Sequence, residues 1–173
     1  LKSLNVLKWE KDLYWDEYVN TEMAVDNERI FLFLDNEIRA YRINSSALMW
    51  SHSFENKTSS IVMADVTSKK HIFYIKKEVP DVSSFYFQDK LSIKIRDLES
   101  FTKASKYYLS TMDKKDGKKI FDVPLDLPGE SDVIWMGVKG NKIFIQSIIQ
   151  NKIFISTYDI SDGKLLWEIS RDV

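Results

Sequence analysis

The chain has 173 residues, a formal net charge of −1 and no cysteine, and 44% of its residues are hydrophobic. This length and composition are those of one folded domain with a sizeable core rather than of a disordered chain. Balanced charge gives no attraction for nucleic acid, the lack of cysteine excludes disulfides, thiolate metal sites and a cysteine nucleophile, and no apolar run reaches the roughly 18 residues of a membrane span.

The first segment, residues 1–20, mixes aromatic side chains with charges. We predict that Val6 to Lys11, which contains Trp9, is the closing strand of a preceding sheet and that the rest is a linker. The aromatic residues could instead form a binding strip, but packing between sheets is the more frequent use of large rings.

Residues 21–56 are predicted to form a first complete unit of four short strands. The strand containing Trp50 is preceded by three apolar runs, separated by turn residues, at 22–25, 30–34 and 38–41. The second strand of each unit, here 30–34, is a nearly continuous apolar run, which is typical of an inner strand buried on both faces between neighbouring units. His52 lies between two serines, but neighbouring strand residues face opposite sides, so we predict no serine–histidine catalytic pair.

Residues 57–125 are predicted to form a second unit that ends near Phe121 and carries an insertion at 76–105. The insertion contains three consecutive aromatic residues, Phe85, Tyr86 and Phe87, and could add a hairpin or part of a further unit. Long insertions often carry function, so we predict that these three residues contact a protein partner. Coverage of the insertion's own small core is the alternative.

Residues 126–173 form the clearest unit, with strands predicted at 133–136, 143–146, 153–158 and 165–169. An Asp-Gly pair ending at Gly163 lies between the last two strands. This is a strong hairpin signal, because glycine accepts the positive φ of the turn. Asp116, Asp159 and Asp162 could be calcium ligands, but a hard cation needs about six converging oxygens, and such aspartates more often cap turns. We predict no metal site.

The turn and its closing aromatic recur along the chain. Tyr158 to Trp167, Tyr41 to Trp50 and Met112 to Phe121 each span a step of nine residues. Gly117 matches Gly163, whereas Ser46 stands where glycine is expected. With Trp9 the aromatics are spaced by 41, 71 and 46 residues. Two of these spacings are near the roughly 40–50 residues of a four-stranded propeller blade, and the third fits one blade plus an insertion.

This pattern resembles the repeat of the quinoprotein-alcohol-dehydrogenase-like (PQQ-like) β-propellers, in which a turn ending in glycine is followed by an apolar-x-Trp strand. Among these propellers it resembles the scaffold lipoproteins of outer-membrane barrel assembly. The resemblance implies an all-β fold, a partial β-propeller of about three four-stranded antiparallel blades.

Three blades and one strand would leave sheet faces and edges uncovered, whereas closed propellers have about four to eight blades. We therefore expect the chain to be a fragment of a larger propeller, or another chain to complete the ring. A first residue Leu1 in place of Met fits a processed or trimmed product.

The resemblance also implies a function, a non-catalytic scaffold for protein–protein contacts in the periplasm or at the outer membrane, with no cofactor. Two alternatives remain open, a fragment of a PQQ-dependent dehydrogenase and a sensor ectodomain. The dehydrogenase needs bound calcium, a carboxylate base and an aromatic floor under the quinone, and Trp135 is the one floor candidate. We predict no catalytic, cofactor-binding or metal-binding residues.

Overall fold

The computed structural model describes residues 22–34, 36–55, 59–79, 105–127 and 130–172. Within these ranges every regular element is a β-strand. The twelve strands are β1 (Glu22–Val25), β2 (Arg29–Leu34), β3 (Glu37–Arg42), β4 (Leu48–Ser53), β5 (Ser59–Asp65), β6 (His71–Glu78), β7 (Lys106–Asp113), β8 (Lys119–Leu125), β9 (Asp132–Lys139), β10 (Lys142–Ile149), β11 (Lys152–Asp159) and β12 (Leu165–Asp172).

The strands form three four-stranded antiparallel sheets, β1–β4, β5–β8 and β9–β12, each with its strands in sequential order. The predicted all-β fold is confirmed, and the arrangement is consistent with a partial β-propeller. We call these sheets the first, second and third sheet. Trp9 and the rest of residues 1–20, and the predicted contact residues Phe85, Tyr86 and Phe87, lie outside the described residues.

The same turn joins the third and fourth strands of every sheet. Its backbone is closed by hydrogen bonds from Arg42 N to Ala47 O at 2.9 Å and from Asp159 N to Lys164 O at 2.8 Å, with the equivalent bond in the second sheet. One residue of each turn has a positive φ, and these residues are Ser46 (51°), Gly117 (70°) and Gly163 (72°). Ser46 therefore keeps the backbone conformation that glycine adopts more easily.

Each sheet also has a register shift at the same point. The residues paired directly across the third and fourth strands there are Ala40 with Trp50, Thr111 with Phe121 and Thr157 with Trp167. Next to each pair, the fourth strand holds one extra residue, which is the arrangement of a β-bulge. The recurrence of turn and bulge shows that the three sheets are copies of one module.

Two apolar cores lie between the sheets. Phe31 and Trp50 of the first sheet pack with Ile72 and Tyr74 of the second, and the opposite face of the second sheet packs on the third through residues such as Phe73. Strand β6 is therefore buried on both faces, as predicted for an inner strand. Strand β2 is also buried on both faces, but Ile30 and Leu32 of its second face lie in a separate cluster with Tyr41 rather than against another of the three sheets.

Strand β10 departs from that prediction, because its burial alternates along the chain. Ile143 and Ile145 face the second sheet and are buried, whereas Phe144 and Gln146 on the other face are only partly buried. The difference arises because none of the described residues forms a sheet over that second face.

Strand β6 continues three residues into the range predicted as an insertion from residue 76. Lys76 remains in the strand because its charge is neutralised there. Its ammonium lies 2.7 Å from a Glu78 carboxylate oxygen and 3.3 Å from one of Asp122. A lysine that pairs in this way can leave its aliphatic stem buried in a sheet.

Candidate functional site

The ring of Trp50 lies directly on the turn of the second sheet. A Cβ atom placed on Gly117 would be 2.6 Å from Trp50 Cε3, far inside ordinary contact distance. The indole Nε1 donates a hydrogen bond of 3.0 Å to the Lys114 carbonyl of the same turn. The turn therefore needs glycine at position 117 for two reasons, the positive φ and the closeness of the ring.

The second and third sheets repeat this contact. A Cβ on Gly163 would lie 2.9 Å from Phe121 Cε2 and 2.7 Å from Val123 Cγ2. We call this arrangement the ring-on-turn contact, in which the fourth-strand aromatic of one sheet packs on the positive-φ turn residue of the next. The contacts run in one direction, from each sheet to the one that follows it in the chain.

The third aromatic of the series, Trp167, is exposed. Its relative accessibility is 41%, against 9% for Trp50. Phe144 packs edge-on against it with 6.4 Å between ring centroids, and Phe31 packs against Trp50 in a tilted arrangement at 6.2 Å. The third sheet thus builds the same aromatic pair as the first, and the pair is open to solvent.

Trp167 belongs to a larger apolar surface on the side of the third sheet that faces away from the second. We call it the outer face, and strand register assigns to it Trp135, Gly137, Phe144, Gln146, Ile155, Thr157, Trp167 and Ile169. Trp135 is 51% exposed and Ile169 is 58% exposed. Side chains of this face line a groove of about 460 Å³.

The indole of Trp135 lies flat across Gly137, since a Cβ at that glycine would be 2.5 Å from Trp135 Cζ2. The predicted dehydrogenase floor residue is therefore part of the outer face. The Thr157 hydroxyl is buried beneath this face, and it makes no hydrogen bond within the described residues.

A buried lysine in the turn between β7 and β8 links the second sheet to the loop between β1 and β2 of the first. Lys114 is 2% exposed, and its ammonium lies 3.0 Å from Asp26 Oδ2 and donates to the Val66 carbonyl. Burial raises the pKa of Asp26, but hydrogen bonds from Glu28 N–H and Lys114 outweigh it, so that the pKa lies below the usual range. Residues 26 and 114 are too far apart in sequence for any local pattern to pair them.

A second polar cluster surrounds Lys76, between β6 and β8. Asp122 accepts a 2.5 Å hydrogen bond from the Ser110 hydroxyl and pairs with Lys76. Burial, followed by the charges of Lys119 and Lys76, lowers the pKa of His52 nearby.

A serine beside a carboxylate and a lysine could suggest catalysis, but the pair is a repeated structural feature. Ser156 donates a 2.6 Å hydrogen bond to Glu168 in the third sheet. Ser110 faces Asp122, and Ser156 faces Glu168, at the same register position of their sheets. A cross-strand hydrogen bond that recurs in this way is explained by the sheet itself.

The aspartates considered as calcium ligands cap turns. Asp116 accepts from Lys118 N at 2.9 Å, Asp159 from Ser161 N at 2.8 Å and Asp162 from Lys164 N at 3.0 Å. Within the described ranges, no group of three or more acidic, histidine or cysteine side chains is arranged to hold a metal ion. Nor does this part of the chain contain a helix that could cross a membrane.

No protein-family model and no curated protein sequence matches the chain. Among solved structures, it is similar to the crystal structure of BamB from Moraxella catarrhalis, with 11% sequence identity and a TM-score of 0.30. The match covers 87% of this chain and 64% of that one, so the chain spans less than two thirds of the matched protein's length.

Proposed function

We propose that this chain is a non-catalytic propeller scaffold that binds another protein through the outer face of the third sheet. The observation that carries the proposal is the exposure of Trp135, Trp167 and Ile169 together on one sheet face. Soluble proteins rarely leave a contiguous apolar surface uncovered unless it is an interaction site.

The form of the face favours a protein over a small molecule. It is a broad sheet surface with a shallow groove, whereas small-molecule sites are deep clefts that enclose most of their ligand. Tryptophan is also the residue type most enriched at energetic hot spots of protein interfaces. The outer face presents two of them, Trp135 on β9 and Trp167 on β12.

The PQQ-like repeat and an extracytoplasmic location near the outer membrane are also part of this proposal. They rest on the sequence resemblance, in particular on the turn and closing aromatic at Tyr158 to Trp167. That motif is short, so the location is best tested directly, by fractionating cells of the native host and locating the protein with an antibody.

Site-specific photocross-linking tests the binding role. A photoreactive amino acid replaces Ile169, which is exposed on the outer face, and a control chain carries it in place of Lys115, which is exposed on a turn. In cells of the native host we expect one saturable protein adduct from position 169 that is lost in the Trp167→Asp variant, and none from position 115. The proposal would be refuted if both positions gave the same adducts and Trp167→Asp left them unchanged.

The dehydrogenase alternative makes a different prediction for the same surface. It places a quinone on Trp135, which the structure leaves exposed beside the groove. Titration with PQQ and Ca²⁺ would then change the quinone absorbance and quench tryptophan fluorescence, with both effects lost in Trp135→Leu. The scaffold proposal expects no saturable change.

A further inference from the structure

We infer that the partner presents an acidic segment to the outer face, with an apolar side chain in the groove and a carboxylate beside Lys139 and Lys142. This inference rests on the proposed function and names the chemistry of the partner. It is drawn from the two positive charges at one end of the groove, for which the described part of the chain supplies no ion-pair partner.

The two lysines stand side by side on the outer face. Strand register pairs Lys139 of β9 directly with Lys142 of β10, on the same face as Trp135 and Phe144. Lys139 is exposed and lines the groove. Like charges directly opposite each other on one sheet face are unfavourable. The pair therefore destabilises the isolated chain slightly, and an anion bound between the two ammonium groups would remove that effect.

The carboxylates of the adjoining strands are engaged elsewhere. Asp159 of β11 lies opposite Lys142, but it accepts hydrogen bonds from the backbone N–H and the hydroxyl of Ser161 at 2.8 and 2.6 Å. Asp65 of the second sheet accepts a hydrogen bond of 3.2 Å from Val138 N. A carboxylate from a partner is therefore the group that the lysine pair lacks.

The groove beside the lysines suits an apolar side chain of a segment that lies across the sheet. It has a volume of about 460 Å³, and the rings of Trp135 and Phe144 and the side chain of Ile155 line it. Gln146 adds an amide, which can both donate to and accept from a peptide backbone. A partner segment in which an acidic residue follows an apolar one would satisfy the ammonium groups and cover the rings together.

A peptide segment fits these charges better than an anionic lipid surface does. Strand register places Asp132 and Asp159 on the same outer face as the lysines. A broad layer of phosphate groups would meet these two carboxylates as well and be repelled by them. A short acidic segment can contact the lysine end of the groove alone, so its charge complements the surface that it covers.

Photocross-linking from position 169 measures the contribution of the lysine pair. The saturable adduct in cells of the native host should fall at least about tenfold in Lys139→Glu/Lys142→Glu, because the carboxylates of the partner would then meet like charges. Lys115→Glu/Lys118→Glu is the matched control. It changes the net charge equally at two exposed positions between β7 and β8, and it should leave the adduct unchanged.

A charge exchange then identifies the segment. Mass spectrometry of the adduct gives the cross-linked position in the partner, and we expect acidic residues to flank it. Replacing those acidic residues by lysine should restore the adduct with Lys139→Glu/Lys142→Glu and weaken the adduct with the unmodified lysines. A lysine pair that acted only on the fold of this chain would show no such exchange.

Lys139→Gln separates a binding role of the pair from a structural one. Removing one of two facing like charges should raise the urea midpoint of the isolated chain, while the yield of adduct falls. A lower midpoint would show that the lysines stabilise the sheet, and it would overturn the inference.

Four further outcomes would also overturn it. The adduct survives Lys139→Glu/Lys142→Glu, or the cross-linked segment of the partner contains no acidic residue. The purified chain binds phosphatidylglycerol vesicles and loses them in the same variant, which would make a lipid the anion. The chain sediments as a dimer that this variant dissociates, which would make a second copy the partner. The proposed function fails differently, through the absence of any adduct from position 169 of the chain with its lysines intact.

Discussion

Single residues set how closely neighbouring sheets approach. Gly117 supports the ring of Trp50 at a distance that no other residue allows, and the indole N–H is satisfied by the carbonyl of Lys114. The Asp-Gly signal predicts the turn around position 117 from sequence alone, because it depends only on local backbone preference. The ring that rests on the turn is not predictable in this way, since Trp50 and Lys114 are 64 residues apart.

Replacing Gly117 by alanine tests the ring-on-turn contact. A side chain at φ 70° is strained by about 1–2 kcal/mol, and overpacking against the Trp50 ring adds about 1–3 kcal/mol. We expect Gly117→Ala to lower the free energy of unfolding by the sum of both effects, measured by urea denaturation.

Gly140→Ala is the control for backbone strain. Its φ of 63° is equally unfavourable, but no atom lies within 4 Å of the added methyl group. We expect a loss of only about 1–2 kcal/mol there. Equal losses of unfolding free energy in the two variants would mean that the Trp50 ring moves away from the added methyl group at no cost in stability. The ring would then not fix the spacing of the sheets.

At the scale of elements, strands of similar sequence differ in burial according to what covers them. The apolar runs in β2 and β6 correctly predict inner strands, whereas Ile143 to Gln146 in β10 begins with the same kind of pattern and is covered on one face. Local hydrophobicity shows that a strand can be buried on both faces. Whether both faces are buried depends on residues elsewhere in the chain that pack over them, and a local stretch of sequence does not show these contacts.

His52, in the fourth strand of the first sheet, makes the stability of the fold depend on pH. Burial, then the charges of Lys119 and Lys76, lower its pKa below the ordinary 6.5, against a weaker opposing effect of Asp122. The unfolded chain therefore binds a proton at His52 more readily than the folded chain does. Stability should fall as the pH decreases through 6.5 toward the folded pKa, and should not change further because of this group below it.

His52→Gln should remove this part of the pH dependence. We expect urea midpoints of the wild type to decrease between pH 7.5 and the folded pKa of His52, and the variant to show a smaller decrease over the same range. Parallel pH profiles for the two proteins would show that His52 does not contribute.

At the scale of the whole molecule, the three sheets form a directional stack, in which the first and second sheets each pack a fourth-strand aromatic on the turn of the next sheet. The sequence repeat predicts the number of sheets and their order, because each turn and closing aromatic is a local signal. It does not predict that the last ring is exposed, nor the link between Asp26 and Lys114, since both follow from how the sheets meet.

Alanine at equivalent positions should therefore have unequal effects. Trp50→Ala removes a buried ring and its hydrogen bond, and we expect a loss of about 3–5 kcal/mol in the free energy of unfolding. Trp167→Ala removes a ring that is 41% exposed, and we expect a loss below about 1.5 kcal/mol. Urea denaturation of both variants measures the difference.

The difference between the two losses of unfolding free energy shows whether the outer face is covered in the isolated chain. Comparable losses would show that Trp167 is as well packed in solution as Trp50, so that the face is covered in the isolated chain. A binding partner that protects the face should raise the loss caused by Trp167→Ala toward that of Trp50→Ala.

The extra residue beside each closing aromatic has a consequence for solubility. Met49, Ile120 and Leu166 are the bulged residues, and they lie in β4, β8 and β12, which are all edge strands. A bulge twists an edge strand and interrupts its row of free backbone groups, so that it templates a foreign strand poorly. The third sheet can therefore present its apolar outer face while its β12 edge is a poor template for further strands.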